Sequence, residues 1–570
     1  MAADSHAPVT SSSSLDEESS RRWFLFLLLA LALLYSPLML ADYAWDDEAL
    51  VLARQTALAQ GEDAGSHGDL WMSAGGESQA SGYYRPAFLW SLDLDQKLWP
   101  GSPGGAHMQS LAWHGAAVLA LFLLLVQVVP GSAALLGAAL FAFHPAQSEA
   151  VAWIAARNDL MVAALGIGGI AALLPERPEP RRLALGGALL LGAFMSKESA
   201  MALPVLLLGL DWARWGRPRG LARLGALAAP LVIYLILRIS ADFPMPDSTL
   251  PSLAAASNVL VHYLSLVGFP RPLSVGRTLA ELAWSPQAIG TAAVVGLGML
   301  WALRRGGALA AVGLVFGGLA FAPVLASLAA YGQLGDRFIY LPLAGISLAF
   351  AAGLPRSISS RSGALALVAL GLTGFLLVSE RLPDWRDSEQ LWTAEVARVG
   401  TTYAHANLAN VLHRQGRASA ASEHYLRALE GPGARLDRCG DAIRSTLELG
   451  DPKLGLDLID RAYAASCPRT ARREGVRALL LVSLGRLDEA AVVSRANPTD
   501  PVGRAQLVLA LVAQRAGRTA EVEEIAKDYT ARGVPRAVFE GMLTALGRAA
   551  PAPAETPEGA PPASEAEVVP

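Results

Sequence analysis

The residues whose types and spacing could do chemistry are acidic and basic side chains at the ends of apolar runs. Asp46, Asp47 and Glu48 follow a run that ends near Ala41. Adjacent carboxylates push one another's pKa apart, and either Asp46 or Asp47 could act as general base toward a hydroxyl. Further along come Tyr84 and Arg85 before Pro86, then His144-Pro145 with Glu149, Arg157 and Asp159. Lys197 and Glu198 lie between two short apolar runs, and Arg337 follows Asp336. Arg157, Lys197 and Arg337 could hold a phosphate, because cations stabilise the charge left on a departing phosphate. On a helix from about Ser148 to Arg157, Glu149, Trp153 and Arg157 would recur on one side, giving an interfacial helix with a polar stripe.

Each signal has a plainer reading. Three acids after an apolar run can be a solvated helix start. His144-Pro145 suits a turn, Lys197-Glu198 and Asp336-Arg337 can be local ion pairs, and Arg157 with Asp159 can cap the following span. Tyr84-Arg85-Pro86 suits a membrane-interface anchor. Their joint placement carries more weight than any one of them.

That placement follows from the apolar runs. The chain has 570 residues, 53% hydrophobic and 17% charged, with a mean hydropathy of +0.36. These values exclude an ordinary soluble enzyme, a secreted globule, a coiled coil and a disordered scaffold. A net charge of −4 gives no support to a nucleic-acid partner. After Arg21-Arg22, the run 23–41 is long enough to cross a bilayer. It reads as an uncleaved first span rather than a signal peptide. Further runs cover about 111–129, 132–143, 160–174, 183–195, 199–212, 224–240, 287–303, 308–325, 338–353 and 363–379. Alternating sides from the inside puts Arg177, Arg181, Arg182, Arg214, Arg217, Arg219, Arg223, Arg304, Arg305, Arg356 and Arg361 inside, as the positive-inside bias requires. This holds if 258–270 is re-entrant. About 11 spans result, and all the acidic and basic clusters above fall on the outer face. Ionisable groups at membrane depth are costly, so such a set marks a functional site.

The chain divides by composition into a tail, 1–22, expected to be disordered, a membrane domain, 23–382, a soluble module, 383–548, and a second disordered tail, 549–570. In the module, Gly416, Gly450, Gly485 and Gly517 recur at spacings of 34, 35 and 32. Small residues at Ala409, Ala421 and Ala428 alternate with Leu408, Leu412 and Tyr425, which matches the tetratricopeptide pattern. Such an α-solenoid offers a concave groove for proteins, or serves as a spacer. Two cysteines, Cys439 and Cys467, make neither a disulfide framework nor a zinc site. A single disulfide is open to them in an oxidising compartment, but nothing in the sequence brings their Cα atoms within reach.

The ordered set Trp45-Asp46-Asp47-Glu48, Tyr84-Arg85-Pro86, His144-Pro145 with Glu149, Arg157 and Asp159, then Ser196-Lys197-Glu198, Arg337-Phe338-Ile339-Tyr340-Leu341-Pro342 and Trp385-Arg386-Asp387-Ser388 resembles the polytopic protein O-mannosyltransferases with C-terminal tetratricopeptide repeats. The resemblance covers about 23–430. It implies an all-α, GT-C type transmembrane bundle of about 11 spans followed by a repeat α-solenoid. It also implies transfer of a mannose-like hexose from a polyprenyl-phosphate donor to a hydroxyl, Ser or Thr of proteins, on the outer side. By position, Asp46 or Asp47 matches the catalytic carboxylate, and Arg157, helped by Lys197 or Arg337, meets the lipid phosphate. Glu48, Tyr84, Arg85, His144, Glu149, Asp159 and Glu198 line the site. The sequence departs from the pattern in a Gly/Ser-rich insertion at 60–81 and at Gln147 and Ser148. The Ala/Leu/Arg-heavy composition suggests a GC-rich bacterium, hence an undecaprenyl-linked donor, the cytoplasmic membrane, and repeats in the periplasm. No cofactor or metal is expected, and the partners are the lipid-linked sugar, acceptor proteins and membrane lipids. A same-fold transferase acting on a lipid or glycan, and a non-catalytic repeat-bearing scaffold, are the alternatives.

Overall fold

The computed structural model of the protein describes residues 14–59, 84–240, 252–282, 285–331, 334–430, 439, 443, 446–448, 450–498 and 503–550. The 60–81 insertion lies outside them, as do 1–13 of the first tail and 551–570 of the second. The described residues are helical, with one isolated antiparallel bridge between Arg277 and Leu334.

The eleven apolar runs all fall in helices. In chain order these include α1 (Ser14–Tyr35), α2 (Asp47–Ala59), α3 (Pro86–Leu98), α4 (Pro103–Leu125), α5 (Gly131–Phe143), α6 (Ser148–Ala152), α7 (Arg157–Leu173), α8 (Pro180–Phe194), α9 (Leu203–Trp215), α10 (Leu221–Ser240), α11 (Leu253–Gly268), α12 (Pro286–Tyr331), α13 (Tyr340–Gly353) and α14 (Ser360–Arg381). Among the described residues, six helices are long and apolar enough to cross a membrane: Ser20–Leu40, Pro103–Leu125, Ile154–Leu173, Leu221–Ser240, Pro286–Val324 and Arg361–Arg386. This is the pattern of a multi-pass membrane protein. The two runs 287–303 and 308–325 form two helices, together α12, that meet at non-helical Gly307, whose φ of 55° and ψ of −131° only glycine adopts without strain. Small residues let helices approach closely: a Cβ on Gly313 would strike the Gly345 carbonyl of α13, and one on Gly345 would strike that of Gly313.

The expected helix from Ser148 to Arg157 does not form. It stops at Ala152, Trp153 is extended (φ −85°, ψ 114°), a 3-10 turn covers Ile154–Ala156, and α7 starts at Arg157. The break has a cause. Asp47 accepts hydrogen bonds from the backbone N–H groups of Ile154 (3.3 Å) and Ala155 (2.8 Å), donors that a continuous helix would have used itself. Glu149, Trp153 and Arg157 therefore leave the interfacial stripe, and all three are buried.

The chain splits into two compact units, Met1–Ala404 and His405–Pro570. The boundary expected at 382/383 shifts because 383–404 is packed into the first unit. Trp385 and Trp392 are fully buried, and Glu395 is bonded to Arg381 (2.6 Å) and to the Ser274 hydroxyl (2.9 Å). The second unit consists of helices such as Ala418–Glu430, Pro452–Ala464, Ala471–Ser483 and Leu487–Ala496. The four glycines singled out by spacing have φ of 74°, 67°, 74° and 70°, in the left-handed region that ends helices. Cys439 and Cys467 form a disulfide with their Cα atoms 5.8 Å apart. Helix packing brings together what the sequence could not place.

Candidate functional site

Three ion pairs and an aromatic stack bring together residues from six segments. Lys197, in the turn after α8, places its Nζ 2.6 Å from both Asp159 oxygens at the start of α7. Arg85, just before α3, is held by Glu198 at 2.6 and 3.1 Å. Arg337 is bonded to Glu149 through its guanidinium and also through its backbone N–H (2.9 Å). The Arg337 guanidinium lies 4.6 Å from the ring centres of Trp153 and Phe338 and 5.6 Å from Trp45, while Lys197 lies 5.7 Å from Phe338. Trp45 and Trp153 stack at 4.0 Å, and Trp392 and Tyr403 meet Trp45 edge-on at 5.3 and 6.0 Å. Cations over aromatic faces are stabilised by the ring quadrupoles. Trp45 is the residue before Asp46, so this stack ties the acidic pair to the cations. Its φ of 61° is left-handed, a strained setting for a tryptophan, and its N–H is fixed by the Ser388 hydroxyl at 2.9 Å.

The electrostatics follow the pairing. Burial pushes the Lys197 ammonium down, Asp159 holds it up, and the charges of Arg85 and Arg337 lower it further. Burial raises the Glu149 carboxyl and Arg337 opposes it. Burial also works against the Arg337 charge, but Glu149 outweighs it and holds the guanidinium above its ordinary value. Glu198 sits below the usual carboxylate range: burial pushes it up, and Arg85 prevails.

The acidic pair divides. Asp47 is fully buried with both oxygens on backbone N–H groups. Burial raises its pKa to about 8 against those two hydrogen bonds, with the Asp46 charge adding to the rise. Asp46 is half-buried at the start of α2, and its carbonyl accepts the Leu50 N–H at 2.9 Å. Glu48, one residue into the helix, is exposed. Asp46 is thus the more exposed member of the pair.

Arg157, expected to meet a phosphate, is sealed. Its side chain has 0% exposure and pairs with Asp95 of α3 at 2.6 Å. It donates further to Ser110 (3.1 Å), Gln109 (3.0 Å) and the carbonyls of Ala106 (2.8 Å) and Ser91 (3.3 Å). A guanidinium with this many internal acceptors ties α3 and α4 to α7. By contrast, Lys197 and Arg337 retain 13% and 18% exposure. His144 takes its turn reading: Nε2 bonds the Val267 carbonyl at 3.1 Å, Nδ1 the Ala146 N–H at 3.3 Å, and burial lowers its pKa to about 4. Tyr84 is buried, its ring 6.2 Å from Tyr234.

Sequence reasoning missed Asp95, Ser274 and Glu395, and it missed the role of Trp45 as the stack's centre. Asp93 and Asp95 on α3 carried a signal: both are carboxylates that alternate with leucines on a short helix, and both are buried, Asp93 with Arg54 at 2.7 Å. Among the described residues, no group of three or more His, Cys, Asp or Glu could hold a metal ion.

No family model matches the chain. A search of the solved structures returns, with a TM-score of 0.39 and 15% identity, the crystal structure of ArnT from Cupriavidus metallidurans bound to undecaprenyl phosphate, over 77% of this chain and 79% of that one. The protein O-mannosyl-transferase Tmtc1 of Drosophila melanogaster is 31% identical over 135 residues, 22% of this chain, so the chain matches about 15% of that relative's length. The likeness to protein O-mannosyltransferases read from the ordered motifs is met by this match, and over that stretch the chain is similar to them.

Proposed function

We propose that the protein is a membrane glycosyltransferase that moves a mannose-like hexose from a polyprenyl-phosphate donor to a Ser or Thr hydroxyl of proteins on the outer side of the cytoplasmic membrane. The observation that carries the reading is the half-buried Asp46, joined through the Trp45–Trp153 stack to the partly exposed Arg337 and Lys197. Asp46 takes the acceptor proton, and the hydroxyl oxygen attacks the sugar C1. The C1–O bond to the phosphate breaks and its electron pair leaves with the polyprenyl phosphate. A single displacement inverts C1. Lys197 and Arg337 stabilise the phosphate charge as it develops. A charged leaving group needs no second carboxylic acid, unlike glycoside hydrolysis. Asp47 is a positioning residue: it breaks the chain at Trp153 and so sets the ring on which Trp45 and Arg337 rest. The Cys439–Cys467 disulfide supports an oxidising compartment for the second unit, the periplasm, where its helical repeats would recruit acceptors.

The test is transfer by the purified full chain from a mannosyl polyprenyl phosphate to a Ser/Thr-rich acceptor protein. Asp46→Asn is expected to insert and fold as the parent does while losing about 10²- to 10⁴-fold in rate. Undiminished transfer by that variant would remove the assigned base. A deletion of 405–570 that loses transfer to protein but not to a soluble glycan acceptor would mark the second unit's role. A scaffold would show no transfer by the parent chain.

A further inference from the structure

One cation near the site stands apart from the rest. Arg85, Arg157, Lys197 and Arg337 each face a carboxylate. Arg277 is in no ion pair among the described residues; its Nη2 donates to the Pro272 carbonyl at 2.9 Å, and its Nε is buried with no hydrogen-bond partner. It lines a cavity of about 150 Å³ between α11, the 269–285 connection and the start of α12. Arg271 and His262 line the same space, Arg271 also pairing with Glu380. The acid inside, Glu281, is turned to the protein: Oε2 accepts the Thr278 N–H (2.7 Å), and Oε1 accepts the Thr402 N–H (2.8 Å) and hydroxyl (3.2 Å). The rest of the wall is mixed: polar Asn258, Ser265, Gln287 and Thr291 stand beside Leu266 and Leu282, both buried, and the exposed Phe269. Exposed Leu260 on α11 and Ile289, Val294 and Leu297 on α12 belong to the same two helices.

A guanidinium with an unused donor, beside a second guanidinium in a wall that is part polar and part apolar, suits a phosphate carried on a hydrocarbon chain. The exposed apolar side chains give that chain a surface to lie on. We infer that this cavity binds the phosphate head of a membrane lipid, with Arg277 as its main ligand. The site is separate from the Lys197–Arg337 pair, yet Arg277 exchanges both backbone hydrogen bonds with Leu334 (2.9 and 2.8 Å), three residues before Arg337. The inference does not depend on sugar transfer, only on the chain's place in a membrane.

The experiment measures binding to the full chain in phosphatidylcholine nanodiscs. The probes are a polyprenyl monophosphate, the corresponding uncharged polyprenol, phosphatidic acid and inorganic phosphate. Arg277→Gln is expected to weaken binding of at least one lipid phosphate at least tenfold, with Arg277→Lys intermediate. The uncharged polyprenol is expected to bind the parent no better than Arg277→Gln. Equal lipid-phosphate affinity of parent and Arg277→Gln would overturn the site, as would inorganic phosphate binding as tightly as the lipid forms. Because Arg277→Gln could perturb the fold, Arg271→Gln serves as the second variant, with an expected loss of at least threefold. Indifference of lipid binding to Arg271→Gln would count against the cavity in the same way. Tighter binding of the polyprenyl than of the diacyl probe, or the reverse, identifies the lipid that carries the phosphate.

Discussion

Asp95→Ala is the perturbation that tests most directly what Arg157 does. The pair is 2.6 Å apart, with side-chain exposures of 0% and 3%. At an effective dielectric of about 20, the direct attraction at that distance is about 6 kcal/mol before desolvation is subtracted. Removing one partner leaves a guanidinium that cannot shed its proton buried without its counter-charge, which typically costs about 3–5 kcal/mol. The other acceptors, Ser110, Gln109, Ala106 and Ser91, are neutral and do not replace the carboxylate. Reversible unfolding in mixed micelles with increasing SDS should therefore show Asp95→Ala destabilised by about 3–5 kcal/mol. Arg157→Met in the same background should restore much of the loss, since a well-packed apolar pair replaces a buried ion pair at little cost. A loss below about 1 kcal/mol for Asp95→Ala would refute the argument. So would an Arg157→Met single variant of full stability whose KM for the lipid-linked donor alone rises, because that is the behaviour of a phosphate ligand.

Asp47→Asn should flatten the pH dependence of stability. The folded pKa of about 8 lies above the unfolded value near 3.8, so folding favours the protonated acid. The parent's stability is then fully expressed below about pH 4 and declines as pH rises toward 8. Because burial also raises Asp336 to about 8, melting curves from pH 5 to 8 should fall for both but less steeply for the variant; parallel slopes would contradict the assignment. Replacing both Cys439 and Cys467 by Ser opens a loop of 28 residues and should cost the second unit up to about 3–4 kcal/mol. Alkylation should then find the parent's two thiols only after reduction, and thiols reactive without reductant would deny the disulfide. Glu395→Ala leaves Arg381 with Asp384 alone and takes the 2.9 Å acceptor from the Ser274 hydroxyl; it should destabilise the first unit by about 1–3 kcal/mol, while melting of the second unit is unmoved.

Much of the fold was legible in the sequence because apolar length, small-residue content and arginine placement act locally. Each apolar run from 23–41 to 363–379 falls in a helix, and the four spaced glycines take the turn conformation that no other residue adopts cheaply. The kinked α12 also respects the two runs that composition separated. The charged residues were found by type and position, yet their partners were not. Nothing in the order of residues says that Lys197 meets Asp159 rather than its neighbour Glu198, or that Glu198 reaches back to Arg85.

Tertiary structure alone decided which cations are open and which are spent. Arg157 reads like Lys197 and Arg337 in sequence, but α3 delivers Asp95 to it and closes it off. Asp46 and Asp47 are neighbours with the same side chain, and the turn into α2 aims one at backbone N–H groups and leaves the other half-buried. The end of the first unit moved to Ala404 because Trp392 and Glu395 found burial across the chain. Propensity, period and hydropathy are properties of a few consecutive residues, so a sequence carries them. The pairing and solvent exposure of a charge depend on groups tens to hundreds of residues away, and only packing brings those groups together.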